Sequence, residues 1–286
     1  MKQKIVIIVC GPTASGKTDR AIELAQKFQT KIISADSRQC FKELNIGVAK
    51  PNVAQLAAIQ HYFINSHSVF DDVNAAVFEQ YALDKVSAIF KKNDVAVMVG
   101  GTGLYIKAFA EGLDEIPVVS ASIKEKIEED YNKSGIEWLR EKIKKEDPLF
   151  FESGEIKNPH RLMRALAIKQ ATGKSIKEFQ KGSIQFRNFK IQYVYLDPER
   201  GNLYGSINQR VDSMMDAGLL DEAKILYRYK HLNALQTVGY KELFDFFENK
   251  VSLAHAIENI KKNTRHYAKR QQTWFKKYLA GKVLFQ

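Results

Sequence analysis

Short apolar runs and amphipathic stretches alternate along the first 115 residues of the chain. The runs IVIIVC (5–10), KIISA (31–35) and VAVMV (95–99) are rich in β-branched side chains, which is typical of buried strands. Between them the apolar positions follow a helical spacing, as in the stretch from Lys17 to Phe28. This alternation predicts a parallel sheet covered by helices.

The strand pattern is interrupted in the middle of the chain. From residue 117 to about 190, charged amphipathic stretches predict helices only. The predicted helix breaks are Gly135, Pro148, Pro159 and Gly173. The run IQYVYLD (191–197) is again a strand pattern, and helical patterns follow it. We therefore predict an α/β core domain made of residues 1–116 together with 191–286, and an all-helical insertion domain at 117–190.

The charge of the chain indicates the class of molecule that it binds, and its cysteine content indicates its cellular compartment. The chain carries 44 Lys and Arg against 33 Asp and Glu, a formal net charge of +11, which favours a polyanionic partner. Its apolar runs are far shorter than the ~18 residues that cross a bilayer, so we expect no membrane partner. Two cysteines support neither a disulfide framework nor a zinc cluster, and we expect a cytoplasmic protein.

A phosphate-binding motif follows the first strand. GPTASGKT fits the pattern G-x-x-x-x-G-K-T between a predicted strand and a predicted helix. Its backbone N–H groups would curl around phosphate oxygens, Lys17 would neutralise charge, and Thr18 would ligate magnesium. The motif makes the core a P-loop NTPase-like sheet flanked by helices. The predicted phosphate-binding residues are Gly11, Pro12, Thr13, Ala14, Ser15, Gly16, Lys17 and Thr18.

Asp36, in ISADSRQ, follows the second strand and is expected at the sheet edge where open α/β folds bind ligands. Its carboxylate could accept a proton from a nucleophile, while Ser37, Arg38 and Gln39 offer hydrogen bonds to a base or sugar. Alternatively, Asp36 caps the residues that follow it. The local sequence leaves both interpretations open.

The strand at 95–99 ends in VGGTGLY, without the aspartate that many P-loop ATPases place there for magnesium. Gly100, Gly101 and Gly103 would allow a ligand to approach the backbone closely, and Thr102 adds a hydroxyl beside the phosphate loop. The alternative is an ordinary glycine-rich turn.

A basic helix is predicted near the end of the chain. Residues 259–277 hold seven Lys or Arg, no acidic residue, and the aromatics Tyr267, Trp274 and Phe275. At helical spacing, part of this charge forms one face that could follow a phosphate backbone. The alternative is a solvated basic helix with its aromatics in the core.

Six segments together resemble the tRNA dimethylallyltransferase (tRNA isopentenyltransferase) family, bacterial type, almost end to end. They are GPTASGKT, ISADSRQCFKELNIGVAKP, VGGTGLYI, INQRVDSMMDAGLLDE, QTVGYKE and TRHYAKRQQTWFK. The family transfers a dimethylallyl group from dimethylallyl diphosphate to the exocyclic amine of the adenosine immediately 3′ of the tRNA anticodon. The resemblance implies a P-loop that need not hold ATP, Mg²⁺ as cofactor, and a monomer that needs no protein partner.

Roles follow from the resemblance at matching positions. It implies that Asp36 accepts the proton of the adenine amine, and that Thr102 and Arg210 stabilise the departing diphosphate. The insertion domain would grip the anticodon stem. The residues that the resemblance places on tRNA are Asp36, Ser37, Arg38, Gln39, Thr102, Arg161, Arg164, Gly239, Tyr240, Lys241, Arg265, Lys269 and Arg270.

The chain departs from the family's usual pattern at several positions. Asn158 and Ala167 stand where an aspartate and a glutamate are common, and Phe41 and Val48 replace a tyrosine and a threonine. The zinc-finger extension of eukaryotic relatives is also missing, which is why a bacterial type is expected. These departures concern RNA contacts more than the predicted chemistry.

Three other functions share parts of this sequence pattern. A P-loop kinase for a small molecule or nucleotide would use Asp36 on an acceptor hydroxyl, although the strand-end aspartate is missing. A related transferase would prenylate free adenine nucleotides and would not require the helical insertion. A nucleotide-regulated RNA-binding protein would lack catalysis altogether.

Overall fold

The computed structural model describes residues 3–282, 284 and 285. The chain divides into two compact units. The core unit contains the chain up to Glu111 and from Phe186 onward, and the insertion unit is Gly112–Gln185. Each of these limits lies five residues before the predicted one, and Arg187 and Phe189, just after the second limit, already pack on the core. There Phe189 stacks on Phe109 with ring centroids 5.6 Å apart, and Arg187 pairs with Glu79 at 2.6 Å.

The described residues of the core unit form a five-stranded parallel sheet in the order β3-β2-β4-β1-β5. The strands are β1 (Ile5–Cys10), β2 (Ile32–Ser34), β3 (His61–Tyr62), β4 (Val95–Gly100) and β5 (Lys190–Tyr195). The predicted parallel sheet is confirmed, and β3 is an additional strand. Strands β1 and β4 are central and almost wholly buried, which explains their uninterrupted apolar sequences.

The register of the sheet places its functional loops side by side. Cys10 of β1 lies opposite Gly100 of β4 and Tyr195 of β5. Beyond β2, the Ala35 amide donates to the carbonyl of Val99 at 2.7 Å. The loops that follow β1, β2 and β4 therefore leave the sheet at one edge.

The helices of the described residues, in chain order, are α1 (Lys17–Lys27), α2 (Val53–Ala58), α3 (Ala75–Phe90), α4 (Gly103–Glu111), α5 (Ala121–Glu146), α6 (Pro148–Ser153), α7 (Pro159–Thr172), α8 (Ile176–Phe179), α9 (Arg200–Asp216), α10 (Leu219–Leu226), α11 (Tyr240–Phe247) and α12 (Leu253–Leu279). Helices α5 to α8 belong to the insertion unit. Short 3₁₀ turns occupy Ile46–Val48, Tyr227–Tyr229 and Asn233–Leu235. Every helix among the described residues is too short or too polar to cross a membrane.

The insertion unit confirms the predicted breaks in its helices. Gly135 takes a φ of 75° and kinks α5, and Gly173 with a φ of 74° ends α7. Pro148 and Pro159 stand at the first positions of α6 and α7, where proline has no intrahelical amide to lose. The unit has its own apolar core, which includes Leu139, Ile143, Leu162, Leu166 and Ala167.

Candidate active site

The phosphate loop leaves β1 at Gly11 and enters α1 at Lys17. Gly11 has a φ of 145°, and a Cβ there would lie 2.3 Å from the Leu196 carbonyl oxygen, so only glycine fits. Ala14 and Gly16 also have positive φ values, 62° and 80°. The positive φ values turn the backbone so that the loop curls over the N-terminus of α1. There the first backbone amides of the helix and the helix dipole favour an anion.

Lys17 lies beneath this loop, where its ammonium donates to the carbonyl of Pro12 and, at 3.5 Å, to the hydroxyl of Ser15. The residue as a whole is partly buried, and burial removes water contacts from its ammonium. This desolvation, together with the positive charge of Arg210, lowers the pKa of Lys17 to about 8. The negative charge of a bound diphosphate would raise this pKa again and keep the ammonium protonated.

Asp36 makes an Asx turn just after β2. Its Oδ1 accepts hydrogen bonds from the amides of Arg38 at 2.9 Å and Gln39 at 3.2 Å. The residues after Asp36 form turns, not a helix, so the carboxylate caps a turn. These bonds use Oδ1, and Asp36 also lines two cavities. The capping role and the proposed role as a base are therefore compatible.

Thr102 joins the loop after β4 to the loop after β2. Its Oγ1 accepts from the Ser37 amide at 3.1 Å and donates to the Ser37 hydroxyl at 3.4 Å. The predicted approach of a ligand to the glycines around Thr102 stays a prediction for Gly100 and Gly101, which line a cavity, but the glycines also serve the packing of the protein itself. A Cβ at Gly100 would lie 2.1 Å from the Ala35 carbonyl oxygen, and one at Gly103 would lie 2.5 Å from Trp274. These glycines allow close packing within the protein.

Arg210 projects from α9 toward the phosphate loop. Its Nη1 donates to the Thr13 hydroxyl at 3.4 Å, and burial lowers the pKa of the guanidinium. The side chain comes from a helix almost 200 residues further along the chain, yet it lies beside the loop. The structure thus brings together Lys17 of the motif and Arg210, to which the family resemblance gave a role on the diphosphate.

Two adjoining cavities occupy this edge of the core unit. The smaller, about 320 Å³, is lined by the phosphate loop from Thr13 to Thr18. The larger, about 600 Å³, is lined by Ser37 and Arg38 on one side and by α9, α11 and α12 on others. The residues that line both are Thr13, Asp36, Val48, Ala49, Arg210 and Tyr267. A cavity lined by the phosphate loop and a cavity with room for a nucleoside therefore meet at Asp36.

Comparison with known proteins assigns the chain to a family. A family profile described as IPP transferase matches residues 39–278. The chain belongs to the IPP transferase family. The tRNA dimethylallyltransferase of Christiangramia forsetii is 49% identical over 95% of this chain and 90% of the relative. That of Flavobacterium johnsoniae is 43% identical over 96% of this chain and 91% of the relative.

Solved structures of the family share the fold. A full-length tRNA isopentenylpyrophosphate transferase from Bacillus halodurans has a TM-score of 0.68 at 34% identity, covering 96% of this chain and 87% of that one. A eukaryotic dimethylallyltransferase acting on tRNA has a TM-score of 0.78 at 27% identity, covering 95% and 70%. The family resemblance read from the six segments is confirmed.

The QTVGYKE segment of this IPP transferase divides into buried and exposed parts. Tyr240 is completely buried and donates to Glu222 at 2.6 Å, while Glu222 also accepts from the amides of Ile46 and Gly47. Tyr240 therefore supports the loop at 45–49 from the core instead of offering a surface to RNA. Lys241, by contrast, is exposed and lines the larger cavity. Glu222 was not singled out from the sequence, since an acidic residue in an amphipathic helix is ordinary.

The basic helix α12 combines buried aromatic side chains with an exposed basic face, and its RNA-binding role stays a prediction. Phe275 is fully buried and Trp274 packs against the core, whereas Tyr267 keeps 37% of its surface exposed and lines both cavities. Arg265 is half-buried and donates to Asn208 at 2.6 Å. Lys269 and Arg270 are exposed, and Arg270 lines the larger cavity.

The predicted RNA-binding arginines of the insertion unit lie on α7. Arg161 and Arg164 are both exposed, and residues 156–177 contain six Lys or Arg and no acidic residue. Asn158 caps α7 by accepting from the Arg161 amide at 3.3 Å, a role in which asparagine serves as well as aspartate. The departure at Asn158 therefore preserves the start of this helix.

The residues of the smaller cavity fit a magnesium ion that is bound together with phosphate. Thr18 contributes a hydroxyl, and Asp19 and Asp36 contribute carboxylates to the lining. No cluster of three or more His, Cys, Asp or Glu that could hold a metal by itself occurs in the described part of the chain. Mg²⁺ commonly takes one or two protein ligands plus phosphate oxygens and water, so this donor set suits it.

Proposed function

We propose that this protein transfers the dimethylallyl group of dimethylallyl diphosphate to the exocyclic amine of the adenosine 3′-adjacent to the anticodon of tRNA, giving N6-dimethylallyladenosine. It would act as a monomer in the cytoplasm. The observation that carries the proposal is the junction of the two cavities, where Asp36, Thr13 and Arg210 border both a phosphate loop and a nucleoside-sized space.

The smaller cavity would bind the donor. Amides of the curled loop and the ammonium of Lys17 would surround the diphosphate, and Arg210 would approach it from the junction with the larger cavity. Stabilising charge that develops on a leaving group is commonly the largest contribution to catalysis in such sites. With diphosphate bound, Mg²⁺ held with Thr18 would supply further positive charge to the leaving oxygens.

The reaction needs one bond to break and one to form. The bond between the allylic carbon and the bridging oxygen breaks, and its electron pair leaves with the diphosphate. The adenine nitrogen donates its lone pair to the allylic carbon, and the excess proton passes to the Asp36 carboxylate. Because the amine conjugated to the purine is a poor nucleophile, removing its proton as the new bond forms lowers the barrier.

The larger cavity would hold the acceptor base. An adenosine within an anticodon loop must leave its stack to reach an enclosed amine-binding site, and unpaired loop nucleotides can be extruded at moderate cost. Ser37 and Arg38 would contact the flipped nucleoside, and Lys241, Lys269 and Arg270 would contact the loop backbone. The predicted contact of Gln39 needs correction, because its side-chain amide donates to the carbonyls of Val48 and Ala49 and the residue lines the smaller cavity. Arg161 and Arg164 of the insertion unit would grip the stem.

Mass spectrometry of nucleosides tests the proposal. The protein and Mg²⁺ are incubated with an unmodified anticodon stem-loop and either dimethylallyl diphosphate or ATP. We expect prenylated adenosine with the first donor only, and none from a control stem-loop that carries guanosine at the target position. Phosphate transfer from ATP without any prenyl adduct would overturn the proposal in favour of a P-loop kinase. Prenylation of free AMP but not of the stem-loop would also contradict it.

A further inference from the structure

Gln271, on α12, makes two hydrogen bonds that join separate parts of the site. Its Oε1 accepts from the Thr13 amide at 2.8 Å, and its Nε2 donates to the Gly101 carbonyl at 2.8 Å. The residue is 7% exposed. One side chain therefore connects the phosphate loop after β1 with the loop after β4 that carries Thr102.

The chemistry of this bridge requires a primary amide of this length. The bridge needs an acceptor toward Thr13 and a donor toward Gly101, and a glutamine supplies both from one planar group. A Cβ at Gly101 would lie 2.3 Å from the Gln271 nitrogen, so the glycine leaves room for the amide. Without Gln271, the amide of Thr13 and the carbonyl of Gly101 would lose these partners beneath the loop.

Thr13 is held from two directions. Gln271 fixes its backbone amide, and Arg210 donates to its side-chain hydroxyl at 3.4 Å. Since Thr13 lines both cavities, its position sets where the leaving group lies relative to Asp36. Because its amide is engaged by Gln271, Thr13 contributes position more than it contributes a phosphate hydrogen bond.

Helix α12 also lines the larger cavity, in which the acceptor base would bind. Tyr267, one turn before Gln271, lines both cavities, and Arg270 lines the larger one. A helix that contacts the acceptor is thus bonded to the loop that holds the donor. Displacement of α12 by a bound nucleic acid would be transmitted to the Thr13 amide through this side chain.

We propose that Gln271 is a positioning residue that holds Thr13 and the Thr102 loop at a fixed spacing, so that the diphosphate and the acceptor amine meet at Asp36. The inference rests on the proposed prenyl transfer. Because Gln271 would align the two reactants, its loss should lower kcat more than it lowers the affinity for either substrate.

The test compares Gln271→Met, which keeps the volume and loses both hydrogen bonds, with Gln272→Met as a matched control. Gln272 follows directly on the same helix, but its amide donates to Asp197 at 2.8 Å, away from the loop. We expect Gln271→Met to lower kcat roughly 10-fold to 100-fold, because two polar groups beneath the loop lose their partner. The KM for the donor and the Kd for tRNA should change less than about threefold. Gln272→Met should behave as the wild type does.

A double-mutant cycle tests whether Gln271 acts through Thr13 or weakens the site in general. If Gln271 acts through the position of Thr13, the combined loss in Gln271→Met with Thr13→Val, which removes the hydroxyl that Arg210 holds, should be smaller than the product of the single losses. Should Gln271→Met fail to fold, Gln271→Asn, too short to bridge both loops, is measured in its place with the same expected fall in kcat. Independent losses, or a wild-type kcat in Gln271→Met, would overturn the inference. A wild-type protein that forms no prenylated adenosine would instead refute the proposed function.

Discussion

Asp36 has two separable roles, and a pair of substitutions distinguishes them. Asp36→Asn keeps an oxygen that can accept from the amides of Arg38 and Gln39, but it removes the carboxylate. Asp36→Ala removes both. If the carboxylate is the proton acceptor, Asp36→Asn should lose roughly 10²-fold to 10⁴-fold in kcat, which is the usual contribution of a general base.

The stability of the folded protein should distinguish the two variants, although both lose the carboxylate. A side chain that caps backbone amides contributes about 0.5–2 kcal/mol, and each kcal/mol corresponds to about 2–4 °C in Tm for a domain of this size. We therefore expect Asp36→Ala to melt several degrees below the wild type, whereas Asp36→Asn should melt close to it. Thermal unfolding followed by circular dichroism measures this difference.

Single-turnover prenylation and tRNA binding complete the comparison. With excess enzyme and a labelled donor, the rate of the chemical step is read directly, and filter binding gives the Kd for tRNA. Both variants should bind tRNA within about threefold of the wild type, because one side chain among many contacts is changed. An Asp36→Asn protein that retains more than a tenth of the wild-type rate would refute the role of the carboxylate as a base.

Further predictions concern the charge of Lys17, the supporting role of Tyr240 and the RNA-binding role of Arg164. The pKa of Lys17, lowered from 10.5 to about 8, means that donor affinity should weaken as the ammonium deprotonates above about pH 8. Lys17→Arg should move that break to higher pH in a calorimetric titration, and an unchanged break would exclude Lys17 as its origin. Tyr240→Phe, which loses the bond to Glu222, should cost about 2 kcal/mol of stability with little change in tRNA affinity. A normal Tm with lost tRNA binding would contradict its supporting role. Arg164→Gln should reduce the slope of log Kd for tRNA against log salt by about one, while the matched control Lys124→Gln, in the acid-rich first half of α5, should leave it unchanged.

The sequence alone determined the local structure and the chemistry that local structure presents. Apolar runs of five or six residues specified β1 and β4, because strands buried on both faces are predominantly apolar. Glycine and proline located the breaks in the insertion unit, since their backbone preferences act within one or two residues. The phosphate loop was equally local, because its amides, its lysine and its helix are contiguous.

Only the tertiary structure decided which distant groups meet. Arg210 and Gln271 reach Thr13 across 197 and 258 residues of sequence, and no periodicity marks either of them. Tyr240 lies in a recognisable segment, but its complete burial follows from the packing of α10 and α11 around the loop at 45–49. Long-range contacts of this kind depend on how several helices pack together at one edge of the sheet. The two adjoining cavities, and their meeting at Asp36, arise from that packing.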